Sequence, residues 1–295
     1  RPKHGSLSPC GGRLRWQDER LEAWLFLTAF LFQTMFNPPK QQYKSTSKCK
    51  YSMGKSFLLV GGSSDIGLRL ATMLLDEGHD VTLLARDAER VNHLVAKGAA
   101  LVQGDALDEE TVQAAVATAS EAGENGLSGM AHLVGSIALR PPHATKLEDF
   151  QSVLQTNLVS AFLALKTAGK AMLKLGQGRM VFTSSVAGSY GLTNHEAIAA
   201  AKGGIEAMVR SAASTYAGRG LRVNAVAPGL TETRLGATVL RSDAIREASV
   251  GMIPLKRINE PEEIAQGMHW LLTDAPDNLT GQIIHLDGGM SALRG

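Results

Sequence analysis

The sequence predicts an α/β fold, with a single doubly wound parallel sheet and helices on both faces. From residue 53 onward, short apolar runs alternate with longer stretches of helical periodicity. The runs at 57–60 and 180–182 are apolar at every position, which is typical of parallel strands covered on both faces. A glycine-rich stretch, VGGSSDIG at 60–67, joins the first run to the first helix. This repeated order of strand and helix indicates parallel strands joined by crossover helices.

Each element is predicted from its own local pattern. Apolar runs that end in glycine, serine or a charged residue predict strands at 56–62, 80–86, 99–105, 129–135, 178–185, 221–229 and 281–289. Helical spacing of apolar residues predicts helices at 66–77, 90–97, 109–121, 147–175 and 194–216. A last helix should begin at Pro261, because proline and the neighbouring acids favour a helix N-terminus. The order is Rossmann-like, and the sequence contains neither an internal repeat nor a low-complexity linker.

The composition is that of a globular protein, with 295 residues of which 44% are hydrophobic and 20% charged. We expect one domain at 53–295 and an N-terminal extension at 1–52. The net charge of +2 gives no sign of a basic face for nucleic acid, so the expected partner is a small molecule. Both cysteines, Cys10 and Cys49, lie in the extension. The predicted domain therefore has no thiol for a disulfide, a metal site or a nucleophile, and we expect no metal.

The extension has a composition of its own. Its apolar run at 24–36 is too short to cross a bilayer, and no acidic residue occurs at 23–52. These features fit an organelle-targeting peptide, or equally an unstructured upstream segment without a folded role. The expected location is accordingly the cytoplasm or an organelle.

The glycine-rich turn has the chemistry of a phosphate site. Gly61 and Gly67 would let the backbone pass close to a diphosphate, and the Ser63 and Ser64 hydroxyls could donate to its oxygens. The amide of Ile66, in the first turn of the helix, would face the negative charge. Glycine also serves plain strand-to-helix turns, so the motif alone leaves that alternative open.

Three features together resemble the short-chain dehydrogenase/reductase family over about 54–291: this turn, the spacing of Ser185 and Lys202, and NAVAPG at 224–229. The resemblance implies an NAD(P)-dependent oxidoreductase that acts on a carbonyl/alcohol pair. Three glycines of the family fall at Gly61, Asp65 and Gly67, so the middle glycine is an aspartate here. A carboxylate near a diphosphate should weaken binding slightly, unless it points away.

The resemblance also implies which residues bind the cofactor. NAD-binding relatives carry an acid where this chain has Ala85, and Arg86 follows, where a guanidinium could pair with the 2′-phosphate of NADP. NADP(H) is therefore favoured over NAD(H), although Arg86 could also be a solvated residue at a helix start. The cofactor-binding residues implied are Gly61, Ser63, Ser64, Ile66, Gly67, Arg86, Asp105, Ala106, Gly135, Lys202, Pro228, Gly229, Thr231 and Thr233.

The catalytic residues of the family are an asparagine, a serine, a tyrosine and a lysine. Asn157, Ser185 and Lys202 match three of them, but the tyrosine position holds Ile198. Isoleucine cannot donate a proton, which should cost a contribution of roughly a hundredfold or more. Lys202 has a structural alternative, an ion pair with Glu206 one turn further along the helix.

Another group must then donate the proton if the site is active. His195 is the first candidate, because its spacing places it on the helical stripe of Ile198 and Lys202, and imidazole can donate near neutral pH. Tyr190 in the preceding loop is the second. Both have structural alternatives, as a solvent-facing residue at a helix start and as a packed aromatic ring.

Three functions remain open from the sequence. The first is NADP(H)-dependent interconversion of a carbonyl and an alcohol with a non-standard proton donor. The alternatives are a catalytically silent dinucleotide-binding sensor or subunit, and an enzyme whose reaction needs no tyrosine. The segment 234–253, which covers the substrate in the family, indicates only a fairly apolar pocket.

A homodimer or homotetramer is also expected. The long helices carry apolar stripes wider than one sheet face needs, formed by Leu154, Leu158, Ala161, Leu165, Ala201, Ile205 and Met208. In the family such helices pair across a dimer.

Overall fold

The fold is a single seven-stranded parallel sheet in the part of the chain that the computed structural model describes, residues 54–293. In chain order the strands are β1 (Ser56–Val60), β2 (Asp80–Ala85), β3 (Ala100–Gln103), β4 (Leu127–His132), β5 (Gly178–Thr183), β6 (Leu221–Pro228) and β7 (Ile283–Leu286). Their order in the sheet is β3-β2-β1-β4-β5-β6-β7. The predicted fold class is confirmed, whereas the extension at 1–52 lies outside the described residues.

Helices cover both faces of the sheet. They are α1 (Asp65–Asp76), α2 (Asn92–Ala96), α3 (Glu109–Ala122), α4 (Leu147–Leu154), α5 (Ser160–Leu175), α6 (Glu196–Tyr216), α7 (Arg234–Ala237), α8 (Asp243–Gly251) and α9 (Pro261–Thr273). One core lies between the sheet and α3, α5 and α6, and the other lies between the sheet and α1 and α9. Buried side chains therefore alternate between two cores along each central strand, which explains why the strands are apolar throughout.

The strand order reverses between β1 and β4. From β1 the chain proceeds outward to β2 and β3, then returns to β4 on the other side of β1 and continues to β7. Ligands of doubly wound sheets bind in the crevice outside the carboxyl ends of the strands at such a reversal. The fold thus places the loops after β1, β4, β5 and β6 around one crevice.

Two predicted helices differ from the structure in ways that affect the site. The single helix predicted at 147–175 is interrupted by a π-helical turn at Gln155–Val159, which joins α4 to α5. The helix predicted at 194–216 begins later, at Glu196, because Asn194 has a left-handed backbone with φ of 63°. The short helices α7 and α8 were not predicted.

The apolar stripes proposed for oligomerisation lie largely inside the chain. Ala161, Leu165, Ala201 and Ile205 are buried, where they pack into the cores of the chain itself. The width of the stripes therefore gives no argument for an oligomer, and the oligomeric state stays a prediction. Within residues 54–293, no helix is long and apolar enough to cross a membrane.

Candidate cofactor and active site

A cavity of about 850 Å³ lies at the carboxyl ends of the strands. Every predicted site residue except Gly67 lines it, namely Gly61, Ser63, Ser64, Ile66, Arg86, Asp105, Ala106, Gly135, Asn157, Ser185, His195, Lys202, Pro228, Gly229, Thr231 and Thr233. Residues separated by more than 150 positions in the sequence thus share one cavity. Its volume is within the range of small-molecule and cofactor sites.

The turn between β1 and α1 has the geometry of a phosphate site. Gly61 has a left-handed backbone with φ of 85°, and a Cβ there would lie 2.9 Å from the Val134 nitrogen. Ser64 is the N-cap of α1, and its hydroxyl accepts a hydrogen bond from the Gly67 amide at 3.1 Å. A Cβ at Gly67 would lie 2.8 Å from the Gly62 carbonyl oxygen, so this glycine holds the helix against the turn rather than lining the cavity.

Asp65, where the family resemblance implies the middle glycine, is the first residue of α1. Two arginines contact its carboxylate. Its carboxylate is 2.7 Å from the Arg90 guanidinium and accepts the Arg234 backbone N–H at 2.8 Å. The sequence analysis identified the aspartate but neither arginine, because 25 and 169 positions separate these partners from it.

The end of β2 presents Arg86 to solvent. Its guanidinium lies 3.8 Å from the Asp105 carboxylate, which follows β3. Asp105 also accepts a hydrogen bond from the Leu107 amide at 2.9 Å, so its carboxylate stabilises the turn at the end of β3. The neighbouring Ala106 is buried against the core. An exposed arginine at this edge is free to meet a further phosphate.

Lys202 is a buried lysine on α6. Its ammonium donates a hydrogen bond to the Thr183 carbonyl oxygen at 2.9 Å, and burial lowers its pKa to about 8. Glu206 instead accepts a hydrogen bond from Ser184 at 2.8 Å and lies 3.9 Å from Arg210. Glu206 thus pairs with Ser184 and Arg210 rather than with Lys202. The Lys202 ammonium lines the cavity.

Asn157 lies in the π-helical turn and is fully buried. Its amide group donates to the Ser136 carbonyl oxygen at 3.1 Å and to the Val153 carbonyl oxygen at 2.9 Å. A Cβ at Gly135 would lie 3.1 Å from the Asn157 side-chain oxygen and 3.6 Å from Lys202 Nζ. The glycine therefore keeps open the space in front of these two polar groups.

Ser185 and Ile198 face the cavity from neighbouring elements. Ser185 follows β5, and its hydroxyl oxygen accepts a hydrogen bond from the Ala187 amide at 3.2 Å. Ile198 is only 4% exposed and belongs to an apolar cluster that also contains Val153. Leu192 packs against this cluster. Where the family resemblance implies a tyrosine hydroxyl, this chain has the apolar side chain of Ile198.

His195 lines the same cavity but is not part of the helix. It is the N-cap of α6, with φ of −105° and ψ of 12°, so only Ile198 and Lys202 of the predicted helical stripe lie within the helix, although all three residues line the cavity. The His195 Nδ1 lies 2.7 Å from the Thr193 carbonyl oxygen. Because a carbonyl oxygen only accepts, we assign the proton to Nδ1. Tyr190 also lines the cavity and is 42% exposed, so it is not a packed core ring.

A second histidine lies beneath the site on β4. His132 is fully buried, and burial together with the charge of Lys202 lowers its pKa to about 3, which keeps it neutral. Its Nε2 is 2.9 Å from the Ser160 hydroxyl, which itself donates to the Thr156 carbonyl oxygen at 2.6 Å. His132 thus donates to Ser160 and supports the π-helical turn that carries Asn157.

The donor set fits a dinucleotide. Two serine hydroxyls and the unpaired first amides of α1 suit phosphate, since the first amides of a helix have no partner within it. Lys202 is available for ribose hydroxyls, and Gly61 and Gly135 leave room for close approach.

Comparison with known proteins agrees with this geometry. A family model described as enoyl-(acyl carrier protein) reductase matches residues 61–291. The 2-(S)-hydroxypropyl-CoM dehydrogenase 3 of Xanthobacter autotrophicus is 34% identical over 245 residues, which are 80% of this chain and 96% of that protein. A structure described as a short-chain type dehydrogenase/reductase from Mycobacterium ulcerans is 28% identical with a TM-score of 0.76, and the match covers 82% of this chain and 91% of the other.

The chain belongs to the short-chain dehydrogenase/reductase family. This family membership makes it an NAD(P)-dependent oxidoreductase of the short-chain dehydrogenase/reductase type. A further similar structure, of ElxO with NADP bound, is 25% identical with a TM-score of 0.76, and the match covers 82% of this chain and all of the other. The likeness extends over the whole described sheet.

Proposed function

We propose that this short-chain dehydrogenase/reductase uses NADP(H) to interconvert a carbonyl and an alcohol, with a proton donor other than a tyrosine at position 198. One observation carries the proposal. Ser185, Lys202 and Asn157 line the same cavity as His195, while Ile198 forms part of its wall. The cavity thus has side chains that can bind the cofactor and the substrate carbonyl. His195 lines the same cavity as Ile198, which cannot donate a proton.

Each retained residue has a role that its contacts support. When bound, NADPH supplies the hydride. Lys202 holds the ribose hydroxyls with a buried ammonium, and Arg86 pairs with the 2′-phosphate from the end of β2. The Ser185 hydroxyl donates to the substrate carbonyl oxygen, and Asn157 holds the loop after β4 through Ser136.

His195 supplies the proton that the carbonyl oxygen gains. Its Nδ1–H is committed to the Thr193 carbonyl oxygen, so only the imidazolium form has a second proton to give, and that proton is on Nε2. The same hydrogen bond orients the ring. Reduction then requires one hydride from the cofactor and one proton from the ring.

The substrate should be largely apolar. The lining of the cavity includes the apolar side chains of Leu192, Val239, Met252, Ile253 and Met290. No charged side chain belongs to this group, so an anionic substrate would find no counterion among these residues. Medium-sized ketones and aldehydes are the class we expect.

A screen of apolar carbonyl compounds with NADPH and with NADH tests the proposal. We expect oxidation of NADPH that depends on the carbonyl compound, together with formation of the alcohol. If the protein binds NADPH but no carbonyl compound or alcohol is converted in either direction, the silent-binding alternative holds instead. A protein that turns over NADH but not NADPH would overturn the cofactor preference alone.

A further inference from the structure

The aspartate at the phosphate turn is part of a cluster of three charged residues. Asp65 contacts Arg90 at 2.7 Å and Arg234 Nε at 3.7 Å, and both guanidinium groups also donate to the Ser63 carbonyl oxygen, at 3.0 and 3.2 Å. One carboxylate and two guanidinium groups leave a net charge of +1. The turn is therefore electropositive although an acid has replaced a glycine.

The two arginines are not equivalent. The Arg90 side chain is 24% exposed and hydrogen-bonds both Asp65 and the Ser63 carbonyl oxygen. The Asp65 carboxylate therefore neutralises the charge of Arg90. The Arg234 side chain is 60% exposed, and its guanidinium is the more distant from Asp65. Of the two arginines, Arg234 alone lines the cavity, beside Ser63 and Ser64. The surplus positive charge is thus the charge of Arg234, at the border of the phosphate site.

Asp65 holds Arg234 in this place through the backbone. Its second carboxylate oxygen accepts the Arg234 N–H at 2.8 Å, and Arg234 is the first residue of α7. The segment that starts there also lines the cavity through Val239, Met252 and Ile253. A glycine at position 65 would offer no such acceptor, so the substitution ties the segment over the substrate to the phosphate turn.

We propose that Arg234 is a ligand of the cofactor diphosphate and that Asp65 is its positioning residue. The inference rests on the proposed NADP(H) function, which it deepens by naming an anion contact supplied from the segment that covers the substrate. Binding of the diphosphate then draws this segment against the turn. Cofactor and substrate sites are coupled through one side chain.

Binding of NADPH to Arg234→Ala tests the ligand role. We expect the affinity to fall about tenfold and to depend less steeply on salt, because one charge-assisted contact to phosphate is lost. Arg241→Ala is the matched control, since Arg241 is an exposed arginine on the same segment and, within residues 54–293, hydrogen-bonds only the Thr238 carbonyl oxygen. Equal affinity of Arg234→Ala and the wild type would overturn the ligand role.

A second background tests the positioning role. In a protein that carries Asp65→Gly, adding Arg234→Ala should change the NADPH affinity less than about twofold, because the guanidinium is no longer held at the turn. If Arg234→Ala lowers the NADPH affinity by the same factor with and without Asp65→Gly, Asp65 is not the positioning residue. The two effects are measured on folded protein, with circular dichroism as the check.

Limited trypsin digestion gives a readout apart from affinity. Saturating NADPH should slow cleavage after Arg241 and Arg246 in the wild type. In Arg234→Ala, NADPH should slow the same cleavages to a much smaller extent. Equal protection of both proteins would contradict the coupling. A wild type that binds no NADPH at all would instead refute the proposed function, which separates the two failures.

Discussion

At the level of single residues, position 198 holds isoleucine where the family resemblance implies a proton-donating tyrosine, and we propose His195 as the donor. His195→Ala should lower carbonyl reduction roughly a hundredfold while NADPH binding stays intact, because the ring donates a proton but holds no part of the cofactor. Steady-state rates at a fixed substrate concentration, together with a binding titration of NADPH, measure both effects.

His143→Ala is the control for that variant, since His143 is an exposed histidine in the loop after β4 that does not line the cavity. It should keep the wild-type rate of carbonyl reduction and the wild-type affinity for NADPH. Unchanged rates in His195→Ala would exclude His195 and leave Tyr190 as the remaining candidate.

We predict that Arg86 favours NADPH over NADH. Arg86→Ala should weaken NADPH binding about tenfold and leave NADH binding nearly unchanged, because only NADPH carries the 2′-phosphate. Calorimetric titration of both cofactors checks this. Arg219→Ala removes an exposed arginine at another place and serves as the control. If the ratio of the NADPH and NADH affinities is the same in the wild type and in Arg86→Ala, Arg86 does not contribute to the cofactor preference.

Burial of Lys202 predicts a pH-dependent stability. Its pKa is about 8 in the folded protein against an ordinary value of 10.5, so folding disfavours the charged form. Below pH 8 the buried charge costs the folded state up to about 3 kcal/mol, and the cost shrinks as pH rises from 8 toward 10. Lys202→Met should therefore be more stable than the wild type at pH 7.

Chemical denaturation of both proteins from pH 7 to 10 measures the difference. The advantage of Lys202→Met should narrow with increasing pH, because the wild-type lysine loses its proton in the folded state only. A constant difference across this range would contradict a lowered pKa, and a less stable variant at pH 7 would show that the bond to Thr183 outweighs the buried charge.

The sequence was informative about residues whose spacing is local. Ser185, Ile198 and Lys202 could be placed from their separations along one strand and one helix. The partners of Asp65 could not, because Arg90 and Arg234 are 25 and 169 positions away from it in the sequence. Their arrangement depends on tertiary contacts that no local pattern records.

At the scale of elements, strands and long helices were predictable and helix ends were not. Periodicity predicted α1, α3 and the long helix before β5, since buried faces impose a repeat of apolar residues. The start of α6 was misplaced, because Asn194 takes a left-handed backbone that ends the loop before His195. The π-helical turn at Gln155–Val159 was also missed, as it depends on Ser160 and the buried His132.

At the scale of the whole molecule, a homo-oligomer remains the expectation. The predicted stripes are buried, but α5 also presents Phe162, which is 53% exposed. If this helix pairs with a second copy, Phe162→Asp should weaken the assembly, because a charge would be buried in an apolar contact. Sedimentation at micromolar concentration should show a dimer or tetramer for the wild type and smaller species for the variant. A monomeric wild type would contradict the prediction.

We propose that this cavity performs carbonyl reduction without a tyrosine at position 198. NADPH oxidation and alcohol formation by the wild type and by Ile198→Tyr, on the same set of apolar carbonyl compounds, test this proposal. We expect turnover by the wild type that depends on His195, and a higher rate once a tyrosine at position 198 can donate the proton. Turnover by Ile198→Tyr alone, with a wild type that binds NADPH but converts nothing, would contradict it.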